Sequence, residues 1–437
     1  MSSSSLLPPA GLDPRPRLLI VGCSTRAAAW SAVRAGFRPV CADQFGDEDL
    51  RMVAEVVPDA MRDSMGTGGS PRVVAAAHLR LHNITSKMWC VASTDHGRKR
   101  LAAQRKLIGP CLGVSPDSDE LPFLGITISN ALMVAGLPYV RFMTPKRWER
   151  ATPSGKWLLK PFDSGGGRQI RFWSLNTDPI PSGDDHYVQE YKPGRPMSAI
   201  FIGRDNGIQL LGLTQQLIGD PVASPPWPFG YCGNIAPVSL PEAGQEMIER
   251  MAEAIAARVE LRGLFGLDFI WDGATPWVCE VNPRYTASCE LLELAYGQPL
   301  LTEHWSCFTS DPPPTLPGAT GGGFRPPVLL PSSGEDTGGS KLPPLAPRVG
   351  GLPDMVGKLI LYARRTVTAP DLSQFLSPRS PWTVPFLADV PRVGTMFEPG
   401  QPLCTVFATG GNADAVRQKL DRRVARVRRW FGDAESP

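Results

Sequence analysis

The chain has 437 residues, 42% of them hydrophobic and 20% charged, enough for two or three domains with buried cores. Its 45 Lys and Arg against 42 Asp and Glu leave a net charge of only +3, too little for the broad cationic field of a non-specific nucleic-acid binder. No apolar run reaches the ~20 residues of a membrane-spanning helix, and the start MSSSSLLPPAGLDPRPR lacks the basic-then-apolar order of a secretory leader.

Residues 1–16 are Ser- and Pro-rich and are expected to be disordered. Arg17–Gly22 then reads as a buried strand, Ala27–Ala35 as a helix and Phe37–Ala42 as a second strand, the opening of a parallel α/β layer. Residues 51–110 read as helix-rich, with short apolar runs such as Met88–Ala92. Beyond Pro110 the pattern predicts a helix over 128–135 and strands at 156–160, 169–173, 186–190, 198–202 and 208–216. A helix over 241–261 leads to strands at 264–271 and 277–282. Residues 310–351 are too rich in Pro, Gly and Ser to bury a core and read as a linker or loop. A small tail unit follows, with a strand near 358–364, a hairpin-like stretch (388–394 to 405–408) and a basic helix, Ala413–Phe431. The nine cysteines form no CxxC pair, which points to reduced thiols and a cytoplasmic setting rather than a disulfide framework or a zinc site.

The strongest chemical signal is GLFGLDFIWDGATPWVCEVNPRY, residues 263–285. If the two strands form a hairpin centred on Ala274, Asp268 faces Glu280 and Gly266 faces Asn282. Opposed residues, and residues two apart on one strand, point to the same side of a sheet. Asp268, Glu280 and Asn282 then share one face, and Trp271 and Trp277, of opposite parity, cover the other. Two carboxylates directly opposed repel unless a cation lies between them, and two carboxylates with an amide oxygen suit Mg2+ that keeps positions open for phosphates.

A second segment, Trp157 to Arg168, joins a strand ending in Lys160 to a Ser164-Gly165-Gly166-Gly167 turn. Such a backbone is free to take positive φ and to aim several N–H groups at an anion, with Lys160 as a point charge and Ser164 as a hydroxyl donor. No GxxxxGK[ST] is present, so the turn is not a P-loop. A third, Gln189-Glu190-Tyr191, closes an apolar strand with groups able to meet a nucleobase and ribose hydroxyls. The Gly22-Cys23-Ser24-Thr25 turn with Asp43 invites a dinucleotide reading, but Ser24 stands at the second glycine position, so the fingerprint is incomplete.

In this order the three segments resemble the ATP-grasp superfamily over about residues 110–309, with Glu280–Arg284, EVNPR, as the specific part. The resemblance implies that Lys160 and the loop Ser164, Gly165, Gly166, Gly167 and Arg168 hold the nucleotide phosphates. It gives Gln189, Glu190 and Tyr191 to adenine and ribose, Asp268, Glu280 and Asn282 to the metal, and Arg284 to the transferred phosphoryl group or acyl phosphate. Lys160 and Arg284 are thus the catalytic candidates. The pattern departs from many relatives in having no lysine between Leu107 and Pro145, only Arg141.

The implied fold is α/β: a Rossmann-like pre-ATP-grasp domain (17–109), an ATP-grasp α+β domain pair (110–309), the linker (310–351) and a small C-terminal domain with a basic helix (352–437). The implied activity is that of an ATP-dependent carboxylate–amine (or carboxylate–thiol) ligase, with ATP and Mg2+ (or Mn2+) and small-molecule carboxylate and amine substrates. Neither nucleic acid nor membrane is an expected partner. The tail resembles, more loosely, an ATP-grasp subgroup associated with one-carbon coenzyme biosynthesis. A small-molecule kinase on the same scaffold and a non-catalytic ATP-binding protein are the rival expectations.

Overall fold

The structure, a computed structural model, describes residues 15–57, 89–92, 124–151, 154–162, 165–174, 186–259, 261–310, 355–376 and 380–433. The expectations for the N-terminal segment and the Pro-rich linker therefore lie outside the described residues.

The chain opens with β1 (Arg17–Val21), α1 (Arg26–Arg34), β2 (Arg38–Ala42), α2 (Glu48–Arg51), β3 (Glu55–Val57) and β4 (Trp89–Ala92). These strands form a parallel sheet in the order β3-β2-β1-β4. The unbroken apolar run Leu18–Val21 fits a strand buried on both faces.

A small lobe follows: α3 (Leu124–Val134), β5 (Phe142–Met143), α4 (Pro145–Ala151), β6 (Trp157–Pro161), β7 (Arg171–Trp173) and β8 (His186–Glu190). Its four strands pair antiparallel as β5-β8-β6-β7. Trp148, Trp157, Leu159, Trp173 and Val188 fill the core of this lobe on one side of the sheet.

The chain continues through β9 (Arg195–Arg204), β10 (Gly207–Ile218), β11 (Tyr231–Val238), α5 (Glu242–Ala256), β12 (Gly263–Trp271), β13 (Pro276–Asn282), α6 (Ala287–Tyr296) and α7 (Leu300–Ser306). The tail supplies β14 (Met355–Tyr362), β15 (Val367–Thr368), β16 (Leu387–Ala388), β17 (Met396–Phe397), β18 (Pro402–Gly410) and α8 (Ala413–Trp430). The central sheet has eight strands in the order β13-β12-β9-β10-β11-β14-β18-β16.

Two expectations change here. β11 was not foreseen, because its sequence YCGNIAPV carries Gly, Asn and Pro, all poor strand formers. The tail does not stand apart as a small domain, since β14 pairs with β11 and carries β18 and β16 into the same sheet. Asn412 caps α8 by accepting the Ala415 N–H at 2.8 Å, and the apolar side of that helix, Val416, Leu420, Val424 and Val427, is buried in the tail core with β14 and β18. Part of its basic character is structural: Arg417 binds Asp220, and Arg428 binds Asp433.

α3 and α5 cover one face of the central sheet, with Met197, Phe201, Phe265, Leu267, Phe269, Val278 and Val281 in that core. On the other face lies α6, which joins the N-terminal unit to the sheet through buried ion pairs. Arg26 of α1 grips Glu290 with both terminal nitrogens and reaches Asp389 through Nε at 2.8 Å. Lys358 of β14 donates to Glu290 at 3.0 Å and to the Ala287 carbonyl at 2.8 Å. Arg34 and Ser31 hold Glu293 in the same way.

Candidate active site

The β12–β13 hairpin pairs Asp268 with Glu280, Leu267 with Val281 and Gly266 with Asn282, as the sequence predicts. A bulge then intervenes: Phe269 pairs with Val278, Ile270 with Trp277 and Trp271 with Pro276. Cys279 is the extra residue, so the expected Trp271/Trp277 pair does not form. Trp271 is buried in the core, its ring against Gly244, where a Cβ would collide with it. Trp277 shares the Ile270 and Asp268 side, with the Lys192 ammonium 4.0 Å above its ring.

Asn282, 4% exposed, donates from Nδ2 to Asp268 at 3.1 Å, and its Oδ1 accepts from Arg284 at 2.8 Å. Ser198 of β9 stands opposite Asp268 on its other side. Burial pushes the Asp268 carboxyl up despite Ser198, Gln216, Arg284 and Asn282, so a cation beside it would be favourable. Two opposed carboxylates with an amide oxygen next to them fit Mg2+; Asn282 would exchange its Arg284 bond for the ion. Among the described residues no cluster of three or more His, Cys, Asp or Glu offers an alternative centre.

Across the cleft, register divides the small lobe cleanly. Lys160 pairs with Tyr187 and Leu158 with Gln189, placing these four on one side, while Trp157 and Glu190, and Leu159 and Val188, share the other. Lys160 is 9% exposed. Burial pulls its ammonium down, but Tyr187, Cys279, Glu280 and Asp268 outweigh that and leave it above its ordinary value. Lys160 and the Asp268 and Glu280 carboxylates thus lie near one another between the two sheets.

The hinge expectations fare differently. Glu190 lies on the side away from Lys160, bound to Arg141 Nε and to Lys192 Nζ, each at 3.0 Å, so its expected ribose role is not supported. Burial opposes its ionisation, but those two cations win and lower its pKa. The Glu190 and Tyr191 N–H groups donate to the Arg141 and Lys156 carbonyls, both at 2.9 Å, and so are already engaged within the lobe. The Gln189 side chain, 1% exposed, donates to the Cys279 carbonyl at 3.0 Å.

What the sequence reading missed is an aromatic wall. Phe172 pairs with Leu158 and so stands on the Lys160 side, 49% exposed, with its ring centroid 5.2 Å from Tyr191 and 5.5 Å from Phe229. The available signal was the period-2 alternation of Arg171-Phe172-Trp173, which sends Phe172 away from the Trp173 core.

Ser164 lies outside the described residues. Gly165, Gly166 and Gly167 cross to the central sheet, where the Tyr231 N–H donates to the Gly166 carbonyl at 2.9 Å, and the Arg168 guanidinium lies 5.8 Å from the Trp227 ring. Gly167 has φ +78° and presses on the Phe229 carbonyl, which a Cβ would overlap. Gly167→Ala is therefore expected to raise the KM for ATP about tenfold or more. Gly165, with open space and no positive φ, should tolerate alanine; steady-state kinetics on the two variants checks this.

The dinucleotide reading also fails on geometry. Asp43 accepts from the Thr25 N–H at 2.6 Å, the Thr25 hydroxyl at 2.8 Å, and the Phe45 and Gly46 N–H groups at 2.8 and 2.7 Å. Its carboxylate closes the turn before α1 and is not offered to a ribose.

Comparison with known proteins agrees with this architecture. Residues 129–288 match the family model described as an ATP-grasp domain. An uncharacterized protein of Methanocaldococcus jannaschii is 27% identical over 147 residues, 33% of this chain and 34% of that one, so the match spans about a third of the relative's length. The structure of N5-carboxyaminoimidazole synthetase from Staphylococcus aureus complexed with ADP aligns with TM-score 0.59 and 13% identity, covering 94% of this chain and 97% of that one. L-amino acid ligase from Bacillus licheniformis aligns with TM-score 0.61 and 13% identity over 94% and 97%. Biotin carboxylase from Campylobacter jejuni gives 0.60 and 12% over 92% and 89%. At these identities the solved structures speak for the fold, and with the family match they show an ATP-grasp domain over residues 129–288.

Proposed function

We propose that the protein is an ATP-dependent carboxylate–amine ligase working through an acyl phosphate. The observation that carries this is the meeting of Lys160 with Asp268 and Glu280 between the two sheets, beside Arg284. Lys160 holds the nucleotide phosphates, and the glycine loop seated on Phe229 and Tyr231 closes over them and excludes water. Asp268, Glu280 and Asn282 would hold Mg2+, or Mn2+ with the same oxygen donors, which when bound offsets charge on the phosphates. Arg284, two residues along from Asn282 and released from its Oδ1 when the ion takes that oxygen, steadies the phosphoryl group as it moves.

The substrate carboxylate takes the γ-phosphoryl group, releasing ADP. The amine then attacks the acyl carbon and phosphate departs, so no side chain need form a covalent intermediate. Positioning and electrostatics supply most of the rate. Two of the similar structures are of a synthetase and an amino acid ligase, which supports C–N bond formation. The resemblance of the tail supports a place in coenzyme biosynthesis, and the free thiols of Cys23, Cys41, Cys232, Cys279, Cys289, Cys307 and Cys404 support a cytoplasmic setting. Among the described residues no helix is long and apolar enough to cross a membrane.

The test is a screen of carboxylate and amine pairs for ADP release, followed by mass analysis. A productive pair should release ADP only when both partners are present and give a condensed product. ADP release indifferent to the amine, with a phosphorylated product, would replace the ligase by a kinase. Binding of ATP with no release under any pair would favour a non-catalytic binder.

A further inference from the structure

The bulge at Cys279 decides which way Glu280 points. Continuing the Trp271–Pro276 register without it would set Asp268 against Cys279 and Leu267 against Glu280. Glu280 would then face the core that Leu267, Phe269 and Val278 occupy, and Val281 would face the cleft. The extra residue shifts the register by one, returning Val281 to the core and Glu280 and Asn282 to the Asp268 side. A bulged residue drops out of the regular ladder, and a half-buried carbonyl there needs another donor. That donor comes from the other lobe: Gln189 Nε2, on a side chain only 1% exposed, lies 3.0 Å from the Cys279 carbonyl.

We propose that Gln189 is a positioning residue which, through the Cys279 carbonyl, pins the bulge that turns Glu280 toward Asp268 and Lys160. Its amide therefore serves the metal site rather than the nucleobase. Because Gln189 lies on β8 beside Lys160, the same bond fixes the distance between the lysine and the carboxylates. The inference rests on the metal-site reading above, and the experiment separates the two.

Wild type, Gln189→Met and Glu280→Gln are compared in the full chain by two measurements. One is ADP affinity by calorimetry with EDTA present, and the other is Mn2+ half-saturation in the presence of ADP by electron paramagnetic resonance. Methionine keeps the length of glutamine without its donor. Gln189→Met should raise the Mn2+ half-saturation about tenfold, the effect of one buried hydrogen bond, while metal-free ADP affinity stays unchanged. An unchanged Mn2+ half-saturation, or an equal loss of metal-free ADP affinity, would overturn the inference. If Gln189→Met does not fold, Gln189→Asn, which withdraws the amide by one methylene, is read in the same way. If Glu280→Gln itself leaves Mn2+ binding intact, the metal assignment fails and the positioning role with it. Loss in Glu280→Gln but not at position 189 sinks the positioning role alone.

Discussion

Glu280→Gln is expected to cut ADP release by about 10²–10³-fold, the effect of deleting one electrostatic group aimed at a transition state. The variant should fold normally. Glu280 is exposed and sits opposite Asp268, so neutralising it removes a like-charge repulsion from the metal-free protein. A coupled ADP assay across a Mg2+ titration, with circular dichroism as the folding control, checks the result. Unchanged turnover with a productive substrate pair would refute the metal assignment, because no other described carboxylate stands opposite Asp268 across the hairpin.

The largest stability effect is expected at Glu290. Burial alone would push its carboxyl up, but Arg26 and Lys358 outweigh that and hold it far below the usual carboxylate range. Glu290→Gln leaves Arg26 and Lys358, both about 4% exposed on their side chains, without their shared counter-charge. Breaking a buried pair in this way costs about 3–5 kcal/mol, read as a fall in the urea midpoint. The exposed Arg262–Asp205 pair is the control: Asp205→Asn should shift nothing measurable. The pH dependence has a definite sign. Glu290 is depressed in the folded state, so its contribution is full above the ordinary glutamate value and declines as pH falls below about 4.5. Asp49, pushed up to about 6 by burial against the pull of Arg26, acts oppositely: its protonated form is favoured in the folded state, so it costs stability as pH rises from about 3.8 to 6.

The register that sets Asp268 against Glu280 and Gly266 against Asn282 was legible because opposed acids and an amide two residues on leave a pattern that needs no tertiary information. The bulge could have been read as well. Val278 and Val281 both belong to the core, yet they are three apart, and strand alternation allows only even spacings on one face. Glu190 was misread for the complementary reason: an acid at the end of a strand looks available until the register shows which side it takes and Arg141 and Lys192 claim it. Phe172 and Phe229 come from segments far apart in the chain, and only the closing of the glycine loop onto β11 brings them together. The tail was mistaken for a separate unit because a strand's partner across a long insertion is not written in its own residues.

That tail has a consequence for biosynthesis. β14 is flanked by β11 and β18, so the outer margin of β11 stays bare while the ribosome makes everything between them. Until β14 emerges, β11 presents an unsatisfied backbone rim and Glu290 lacks its lysine, so a nascent chain at that stage is a template for pairing with its neighbours. The central sheet therefore cannot be finished before β14 is made, and a chain cut short of β14 would be a candidate for aggregation rather than a smaller folded protein.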